Sequence, residues 1–398
     1  MTEPLYYHDA YLSEFDAQVL ACAPAGEHFE VQLDRTAFYA TSGGQPNDTG
    51  RLGDASVLDV RERDDGAVLH VTDRRIDPGA IHGVIDWPRR FDHMQQHTGQ
   101  HLLSAVVLAH FRMSTVGFHL GREISTIDLD AKSLAPAQVE DAERLVNALI
   151  FDDRPVTIRF GTREELAAVG VRKEVAREGR LRAIEIEGVE CQPCGGTHVS
   201  RTGQVGMLLL RKFEKQRGNW RIDFLCGGRA LAAARRDYAT LGEAARLLGS
   251  AAADVPAQVR RSLDERRESD RSRQKLLERL AKYEARELLD AADALLEEKH
   301  GRVVARVLED ADAAYVRLLA TAIAACSPAT ALLATRTGGH VVFAQSAGLP
   351  GDMNALLGAS LVEFGGKGGG NRNFAQGAAP DSSRLDQLLN FARSRLAA

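Results

Sequence analysis

The first 90 residues contain short apolar runs in which hydrophobic and polar positions partly alternate. Glycine, proline, asparagine and aspartate separate these runs, a pattern typical of strands joined by tight turns. The runs cover residues 18–20, 29–33, 67–71 and 83–85. A series of short strands of this kind closes naturally as a barrel. We therefore predict a small β-barrel domain over residues 1–88.

The pattern changes to helical spacing from Arg89. Apolar residues recur with the period of a helix around His97 and His101, so both histidines should point inward. A second helix is predicted over residues 136–151. Strands are predicted on either side of it and farther along the chain, at residues 124–129, 155–160, 180–187, 206–212 and 220–225. We predict that these strands share one sheet in a mixed α/β domain over residues 89–228.

A long helical arm is predicted over residues 229–300, with an interruption near Pro256. Its stretch 264–275 contains no apolar residue and should be surrounded by solvent. A rough apolar stripe then resumes and should pack on a partner helix: Leu276, Leu280, Tyr283, Leu288, Ala291 and Leu295. The spacing is too irregular for a long coiled coil, so a helical hairpin or a short antiparallel pair is the preferred interpretation.

The last hundred residues again combine strands and helices. We predict strands at residues 302–308, 331–335 and 340–345, a tight turn at Gly338-Gly339, and helices at residues 313–325, 352–363 and 383–397. The glycine-rich run 365–372 lies between the last two helices. Such a run lets bare backbone amides approach a phosphate group or an RNA backbone, and a flexible linker is its structural alternative. The predicted fold class is therefore an α+β multidomain protein that ends in a C-terminal α/β glycine-rich domain over residues 301–398.

Composition places the chain among soluble globular proteins. It has 398 residues, of which 44% are hydrophobic and 26% charged, and its formal net charge is -5. Five scattered cysteines, with no signal peptide or membrane-spanning run, favour a reducing cytoplasm. The net charge does not indicate nucleic-acid binding, but the stretch from Arg201 to Arg236 is locally basic, with Glu214 and Asp223 as its only acidic residues. A solvated strand-turn-strand would tolerate the same charges.

Two pairs of potential metal ligands share one spacing: His97 with His101, and Cys194 with His198. Residues four apart on a helix lie on one face, so the two helical histidines can bind the same ion. Two glycines after Cys194 allow a tight turn that returns His198 toward that ion. Imidazole nitrogen and thiolate sulfur suit zinc better than magnesium or calcium. We therefore predict one zinc ion per chain, bound by these four side chains.

Competing interpretations of these motifs have less support. Cys191 forms a C-x-x-C motif with Cys194, but it lacks the strand-helix context of a thioredoxin-like redox site. The protease helix H-E-x-x-H is absent, because Thr98 and Gly99 occupy its interior. A histidine pair on a helix can be a chance match, so the second pair carries much of the prediction.

Several motifs together resemble alanyl-tRNA synthetase from its editing domain to its C-terminus. The motifs are Phe38-Tyr39 with Ser42-Gly43-Gly44-Gln45, His97-x-x-x-His101-Leu102-Leu103, Cys194-Gly195-Gly196-Thr197-His198-Val199, and the glycine-rich run ending in Phe374-Ala375-Gln376-Gly377. The resemblance covers nearly the whole chain and leaves no room for the aminoacylation domain. The chain is thus similar to the free-standing alanyl-tRNA editing proteins in their long form.

The resemblance implies hydrolysis of the ester that joins a wrong amino acid, chiefly serine and secondarily glycine, to tRNA(Ala). It makes the α/β part a zinc-binding editing domain. The residues that match the metal ligands and the catalytic centre of the family are His97, His101, Cys194 and His198. Zinc can activate a water molecule and polarise the ester carbonyl, or it can orient the aminoacyl group while another water attacks.

The side chains that would bind the substrate are less directly indicated. Serine differs from alanine by one hydroxyl, which a site built to hydrogen-bond that group can select. The candidates for this site are Thr115 and His119, with Thr41 and Gln45 as supporting lining from the glycine-containing loop 38–50, called the glycine loop below. The residues expected to contact tRNA are Lys212, Lys215, Arg217, Arg221, Lys367 and Arg372.

Other functions remain open at this point. A non-catalytic, zinc-stabilised RNA-binding protein is the alternative to the editing enzyme. A two-metal phosphoesterase is disfavoured, because the expected aspartate-histidine clusters are missing. The helical arm or the C-terminal domain could mediate a homodimer, and we expect no membrane partner.

Overall fold

The computed structural model describes residues 2–168, 181–292, 297–326 and 328–397. The chain divides into two compact units, Met1–Glu243 and Ala244–Ala398. The finer division into four domains stays a prediction. Of the predicted elements, Arg180 at the start of the strand 180–187 and residues 293–296 of the helical arm, which include Leu295, lie outside the described residues. Within the described ranges, no helix has the length and apolar character needed to cross a membrane.

The N-terminal part of the first unit forms a closed barrel of six strands, which confirms the predicted barrel. The strands of this region are β1 (Glu3–Pro4), β2 (Glu14–Ala25), β3 (His28–Leu33), β4 (Arg35–Thr36), β5 (Gly50–Leu52), β6 (Ala55–Glu62), β7 (Val68–Thr72) and β8 (Gly79–Ile85). The barrel order is β2-β3-β7-β6-β5-β8, while β1 and β4 pair in parallel outside it. Alternate residues such as Phe15, Val31 and Leu33 are buried and fill the barrel core.

The rest of the first unit is a mixed α/β region. Its elements are α1 (Trp87–Phe111), β9 (Ser114–Leu120), β10 (Ser125–Asp130), α2 (Pro136–Phe151), β11 (Val156–Gly161), α3 (Arg163–Ala168), β12 (Leu181–Ile186), β13 (Glu190–Pro193), β14 (Leu208–Gln216), β15 (Asn219–Cys226) and α4 (Gly227–Leu247). The helix α2 occupies the residues predicted for it, and Pro136 suits its first turn because that position needs no N–H donor.

The prediction of a single sheet in this region was wrong. The strands form a four-stranded sheet, β14-β15-β10-β9, and a separate three-stranded sheet, β11-β12-β13. Both edges of β12 are hydrogen-bonded to β11 and β13, so β12 cannot join the other sheet. Residues of both sheets nevertheless contribute to one hydrophobic core against α1 and α2. Alternation along a strand predicts the strand but not its neighbours.

The helix α1 is central to the first unit. Its N-terminus is capped by Asp86, whose carboxylate accepts a hydrogen bond from the Arg89 amide at 3.4 Å. Gly99 is required where α1 meets β15, because a Cβ at this position would lie 2.2 Å from Cys226 Sγ. The fully buried Arg90 pairs with Asp48 of the barrel segment at 2.5 Å, which ties α1 to the barrel. Loss of either partner would leave an uncompensated buried charge.

The second unit is a five-stranded sheet with helices on both faces. Its elements are α5 (Val255–Asp290), α6 (Glu297–His300), β16 (Arg302–Leu308), α7 (Ala313–Ala325), β17 (Ala329–Thr335), β18 (His340–Gln345), α8 (Met353–Phe364), β19 (Lys367–Gly370), β20 (Phe374–Ala378) and α9 (Leu385–Ala397). The strand order is β16-β17-β18-β20-β19, and only β16 and β17 pair in parallel. Helices α5 and α7 contribute to the core on one face, and α8 and α9 to the core on the other.

The apolar stripe predicted for the helical arm was wrong for its first part. Leu276, Leu280 and Tyr283 are 62%, 53% and 64% exposed. The face of α5 that packs on α7 instead carries Ala281, Ala285 and Leu289. Both faces have helical spacing, and the alanine face is preferred because small side chains let two helices approach closely. The predicted break near Pro256 is confirmed, since α5 begins at Val255.

The glycine-rich run of the second unit contains a strand that its composition does not indicate. Residues of β19 pair with β20 at the edge of the sheet, with Gly368 opposite Gly377. All four residues of β19 are exposed. Glycine is unfavourable in an isolated strand, so this strand exists because of the hairpin and of α8, which packs on it.

Candidate metal centre

The four predicted ligands converge in the first unit, as their spacing predicts. One potential ligand atom from each of His97, His101, Cys194 and His198 lies within 4.8 Å of all the others. His97 and His101 project from α1, and their ring centroids are 5.3 Å apart. Cys194 and His198 lie on the segment after β13, where Cys194 Sγ is 3.5 Å from His97 Nε2 and 3.2 Å from His198 Nε2. The cluster could hold a metal ion.

Each imidazole is held through its other ring nitrogen. His97 Nδ1 donates to Gln45 Oε1 at 2.8 Å, and His101 Nδ1 donates to Glu190 Oε1 at 2.6 Å. His198 Nδ1 lies 3.1 Å from the Thr98 hydroxyl oxygen. These partners leave the Nε2 atoms free for an ion, an arrangement that metal-binding histidines commonly adopt.

The Cys194–His198 segment is hydrogen-bonded to α1 and to the glycine loop of the barrel region. Gln45 Oε1 accepts a hydrogen bond from the Thr197 amide at 3.1 Å, and Gln45 Nε2 donates to Thr197 Oγ1 at 2.8 Å. The Thr98 hydroxyl accepts from the Val199 amide at 3.2 Å. A Cβ on Gly196 would lie 2.2 Å from His97 Cε1, so only glycine allows the segment to approach α1 this closely.

The electrostatics of the cluster favour an anionic sulfur beside neutral and cationic rings. Burial would raise the pKa of the Cys194 thiol, but the neighbouring His97 and His198 outweigh it and hold that pKa well below its usual value. Burial, reinforced by His97, lowers the pKa of His198 to about 3. Burial also opposes protonation of His101, but Glu190 and Cys194 outweigh it and raise the pKa of His101 to about 10 in the metal-free chain.

This donor set fits zinc. Imidazole nitrogen and thiolate sulfur are donors that zinc prefers, and four of them match its tetrahedral coordination. The three histidines are only 2%, 8% and 4% exposed. Cys191 does not belong to the cluster. Its side chain is buried, and burial raises the pKa of its thiol. Cys191 therefore has the character of an inert core cysteine.

The predicted substrate-binding side chains differ in exposure and in the elements that they contact. Thr115 lies on the face of β9 that packs toward α1, and its hydroxyl is 2.8 Å from Ser104 Oγ. His119 is exposed, and strand alternation directs it away from the face that carries Phe118. The hydroxyl of the exposed Thr41 accepts from the Asn47 amide at 3.0 Å. The side-chain amide of Gln45 is hydrogen-bonded to His97 and Thr197, and its contact with substrate stays a prediction.

Some residues of the site were not indicated by the sequence motifs. Phe118 packs beside His97 with a centroid distance of 5.6 Å. Gln100 Nε2 donates to Ser104 Oγ at 2.8 Å and so extends the polar chain that ends at Thr115. Glu190, the partner of His101, offered one usable signal, because it is a carboxylate four residues before a predicted ligand. Gln100 and Ser104 lie four residues apart on α1, so their contact is local to the helix. The contact of Phe118 with His97 depends on how β9 packs on α1 and had no such signal.

The predicted tRNA-binding residues of the first unit lie on the β14–β15 hairpin. Lys212 pairs with Glu214 at 2.7 Å, and Arg221 binds Asp128 through two hydrogen bonds of 2.7 and 2.8 Å. Lys215 and Arg217 are exposed near the tip. The tip is a two-residue turn with φ values of 50° at Arg217 and 93° at Gly218, the conformation that favours glycine or asparagine.

The two predicted tRNA-binding residues of the second unit lie in the glycine-rich run. Lys367 is exposed on β19. Arg372 is also exposed, and its guanidinium donates to the carbonyl oxygens of Gly351 at 3.3 Å and Pro350 at 3.1 Å. Both side chains remain available to solvent, and their contact with tRNA stays a prediction.

The chain is similar to proteins of known families. The family model described as the threonyl and alanyl tRNA synthetase second additional domain matches residues 181–223, which include the Cys194–His198 segment. The chain is 33% identical to alanyl-tRNA editing protein AlaX-L of Pyrococcus horikoshii, over 100% of both chains. It is 31% identical to alanyl-tRNA editing protein Aarsd1 of Mus musculus, over 96% of this chain and 95% of that protein. It is also 34% identical to the alanine–tRNA ligase of Halorubrum lacusprofundi, over 98% of this chain but only 43% of the ligase.

Proposed function

The chain belongs to the family of alanyl-tRNA editing proteins, and from this membership we propose that it deacylates mischarged tRNA(Ala). The proposed substrates are tRNA(Ala) carrying serine and, secondarily, glycine. The observation that carries the proposal is the convergence of His97, His101, Cys194 and His198 at one buried point in a chain similar to an editing protein along its entire length. We further propose that the protein acts in the cytoplasm.

The proposed reaction is hydrolysis of an ester. Water adds to the carbonyl carbon of the aminoacyl group, and the bond between that carbon and the ribose oxygen breaks. One proton of the water passes to the ribose oxygen, the other is released to solvent, and the amino acid leaves with a free carboxylate. No other co-reactant is needed, so the chain has to bind the ester, admit the attacking water and stabilise charge at the carbonyl oxygen.

The four convergent side chains would bind one zinc ion and serve as the catalytic centre. Bound zinc would supply a positive charge that can polarise an ester carbonyl or lower the pKa of water. Gln45, Glu190 and Thr98 hold the three imidazole rings in the orientation that such binding needs. Burial of the rings keeps bulk water from the ligands and strengthens electrostatic interactions at the centre.

We propose that Thr115 selects the serine hydroxyl. Its own hydroxyl is part of the polar chain through Ser104 to Gln100, which precedes the ligand His101. Of the two candidates for the serine contact, Thr115 contacts α1 through Ser104, whereas His119 is exposed. Strict alternation would put both on one face of β9, but the register shift opposite Asp128 and Leu129 separates them. A partly buried hydroxyl matched to a substrate hydroxyl favours serine, because alanine would leave the polar groups unpaired.

Replacing Thr115 with valine tests this assignment. Valine has a similar shape but no hydroxyl, so kcat/KM for seryl-tRNA(Ala) should fall about 10- to 100-fold while glycyl-tRNA(Ala) is little affected. Single-turnover deacylation of the two substrates by the variant gives the ratio. An equal loss for both substrates would assign Thr115 a structural role instead.

We propose that the hairpin residues Lys212, Lys215, Arg217 and Arg221 contact the tRNA backbone, together with Lys367 and Arg372 of the second unit. The exposed tip residues Lys215 and Arg217 should contribute most, because Lys212 and Arg221 are already paired with Glu214 and Asp128.

A homodimer through the second unit is a further proposal, for which exposed apolar residues of α5 such as Leu276 and Leu280 offer a surface. Light scattering of the full chain tests the dimer.

The proposed function is tested by deacylation of one tRNA charged with three amino acids. The full chain should deacylate seryl-tRNA(Ala) fastest and glycyl-tRNA(Ala) more slowly, and it should spare alanyl-tRNA(Ala). Cys194→Ala should bind less zinc and lose the reaction with all substrates. Zinc-loaded protein that binds tRNA(Ala) but leaves seryl-tRNA(Ala) intact would favour the non-catalytic RNA-binding alternative.

A further inference from the structure

Arg182 on β12 is a buried arginine beside the metal centre that none of the sequence motifs includes. It is only 6% exposed. Arginine is always protonated in proteins, so a positive charge is buried at this position. Such a charge is costly unless several acceptors surround it, and those that surround Arg182 are backbone carbonyl oxygens.

The guanidinium of Arg182 contacts both ends of the tripeptide Cys194–Gly196, which begins the Cys194–His198 segment. Its Nη1 donates to the carbonyl oxygens of Cys194 at 2.5 Å and Gly196 at 3.0 Å. Its Nε donates to the Tyr7 carbonyl at 2.9 Å, and its Cζ lies 5.2 Å from the centre of the Tyr7 ring. The backbone and the ring of Tyr7 thus both hold the planar guanidinium that contacts Cys194 and Gly196.

The backbone of Arg182 contacts the same segment. The Cys194 amide donates to the Arg182 carbonyl at 3.3 Å where β12 and β13 end their pairing. Cys194 is therefore held at its N–H by the main chain of Arg182 and at its carbonyl by the Arg182 side chain. The Gly196 amide then lies 3.4 Å from Cys194 Sγ and donates to it.

The segment needs an external constraint because of its sequence. Gly195 and Gly196 have no side chains with which to limit their conformation, and glycine has the largest backbone freedom of any residue. The register of β13 determines the chain only as far as Pro193. The direction of Cys194 Sγ therefore depends on contacts made to the carbonyls that follow β13.

We propose that Arg182 is a positioning residue of the metal centre, which holds the Cys194–Gly196 backbone so that Cys194 Sγ points at His97 and His198. The inference rests on the metal site of the proposed function but not on its substrate. A role in packing alone would predict lower stability without a specific change at the sulfur ligand.

The test measures metal binding and the sulfur ligand directly in the full chain. The variants are Arg182→Met, which keeps the apolar part of the side chain, and Arg182→Lys, which keeps the charge but can reach fewer carbonyls. The matched control is Arg159→Met on the neighbouring strand β11, an exposed arginine paired with Glu185. Zinc affinity is measured by competition with a chromophoric chelator, and the thiolate-to-metal absorption band is recorded after loading with cobalt.

We expect Arg182→Met to weaken zinc binding by about 10- to 100-fold and to alter the cobalt-thiolate band. Arg182→Lys should fold and lie between Arg182→Met and the wild type, whereas Arg159→Met should match the wild type. Wild-type affinity and an unchanged band in a folded Arg182 variant would overturn the proposal. If Arg182→Met does not fold, Arg182→Lys decides alone. A wild-type chain that binds no metal would instead sink the metal centre of the proposed function.

Discussion

The two ligand pairs have the same spacing but are positioned in different ways. His97 and His101 lie on α1, where hydrogen bonds within the helix set their separation and direction. Cys194 and His198 lie on an irregular segment that is held by Gln45, Thr98 and, in our proposal, Arg182, none of which is within ten residues of it. One half of the centre is thus determined locally, and the other half by contacts from distant parts of the chain.

This difference indicates which changes can be absorbed. The helix keeps its geometry when one of its histidines is replaced, because the backbone hydrogen bonds remain. The segment around Cys194 has no regular backbone pattern, so it depends on each outside contact. Replacing a helical histidine should therefore remove one ligand and leave the position of the other unchanged. Replacing a residue that contacts the Cys194–His198 segment should instead move Cys194 and His198.

The largest expected effect follows from removal of a ligand. His97→Ala and Cys194→Ala should each lower the deacylation rate of seryl-tRNA(Ala) by about a thousandfold or more, because the metal supplies several kcal/mol of electrostatic stabilisation. His97→Ala should keep the helix content of the wild type in circular dichroism. Zinc content and single-turnover rates measured on the same samples check the prediction. Full activity in a zinc-free variant would contradict it.

A buried histidine outside the metal centre should affect the free energy of unfolding and not metal binding. His70 in the barrel is completely buried, with Nδ1 3.1 Å from the Val31 carbonyl oxygen and Nε2 2.8 Å from the Thr36 hydroxyl. Burial lowers the pKa of His70 to about 4. The unfolded chain therefore takes up a proton first as the pH falls, and the free energy of unfolding should drop by about 3 kcal/mol between pH 6.5 and pH 4.

Urea unfolding of the metal-free chain at several pH values measures this loss. Tryptophan fluorescence reports on the first unit, because Trp87 and Trp220 both lie there. His70→Gln should reduce the dependence on pH in this window, while the matched exposed variant His82→Gln should not. An equal pH dependence in the wild type and His70→Gln would show that His70 is not the group responsible.

The partners of the imidazoles should have intermediate effects. Gln45→Leu removes the acceptor of both His97 Nδ1 and the Thr197 amide, and so affects both ligand pairs at once. Glu190→Gln keeps an acceptor for His101 and affects one ligand only. We expect zinc affinity to fall about 10- to 100-fold in Gln45→Leu and less in Glu190→Gln, as measured by chelator competition. The reverse order would mean that the charge of Glu190 contributes more to zinc affinity than the hydrogen bonds that Gln45 makes with His97 and Thr197.

The smallest expected effect concerns the exposed hairpin tip. Arg217 has a φ of 50° that glycine adopts without strain, so Arg217→Gly should change the free energy of unfolding by no more than about 0.5 kcal/mol. It removes one potential phosphate contact and should weaken tRNA binding a few-fold at low salt. Filter binding or fluorescence anisotropy measures this, with Arg75→Gly on a barrel loop as the control. Identical tRNA affinities for the two variants would remove Arg217 from the tRNA-binding surface.

Local features of the structure could be predicted from the sequence, and features that depend on pairing could not. The bounds of α2 and the inward direction of His97 and His101 follow from helical spacing, which is encoded within a few residues. The separation of β12 from the larger sheet, the pairing of β19 and the choice of the alanine face of α5 depend on which elements meet. For the same reason the spacing predicts the four ligands but not the side chains that hold them.

We propose above all that the four convergent side chains bind a metal ion that deacylation requires. The most direct measurement is a titration of the metal-free chain with zinc, in which the deacylation rate of seryl-tRNA(Ala) and the amount of bound zinc are followed together. The rate should rise in proportion to bound zinc and reach its plateau at one ion per chain. A full rate in the metal-free chain, or a rate that does not change as zinc binds, would contradict it.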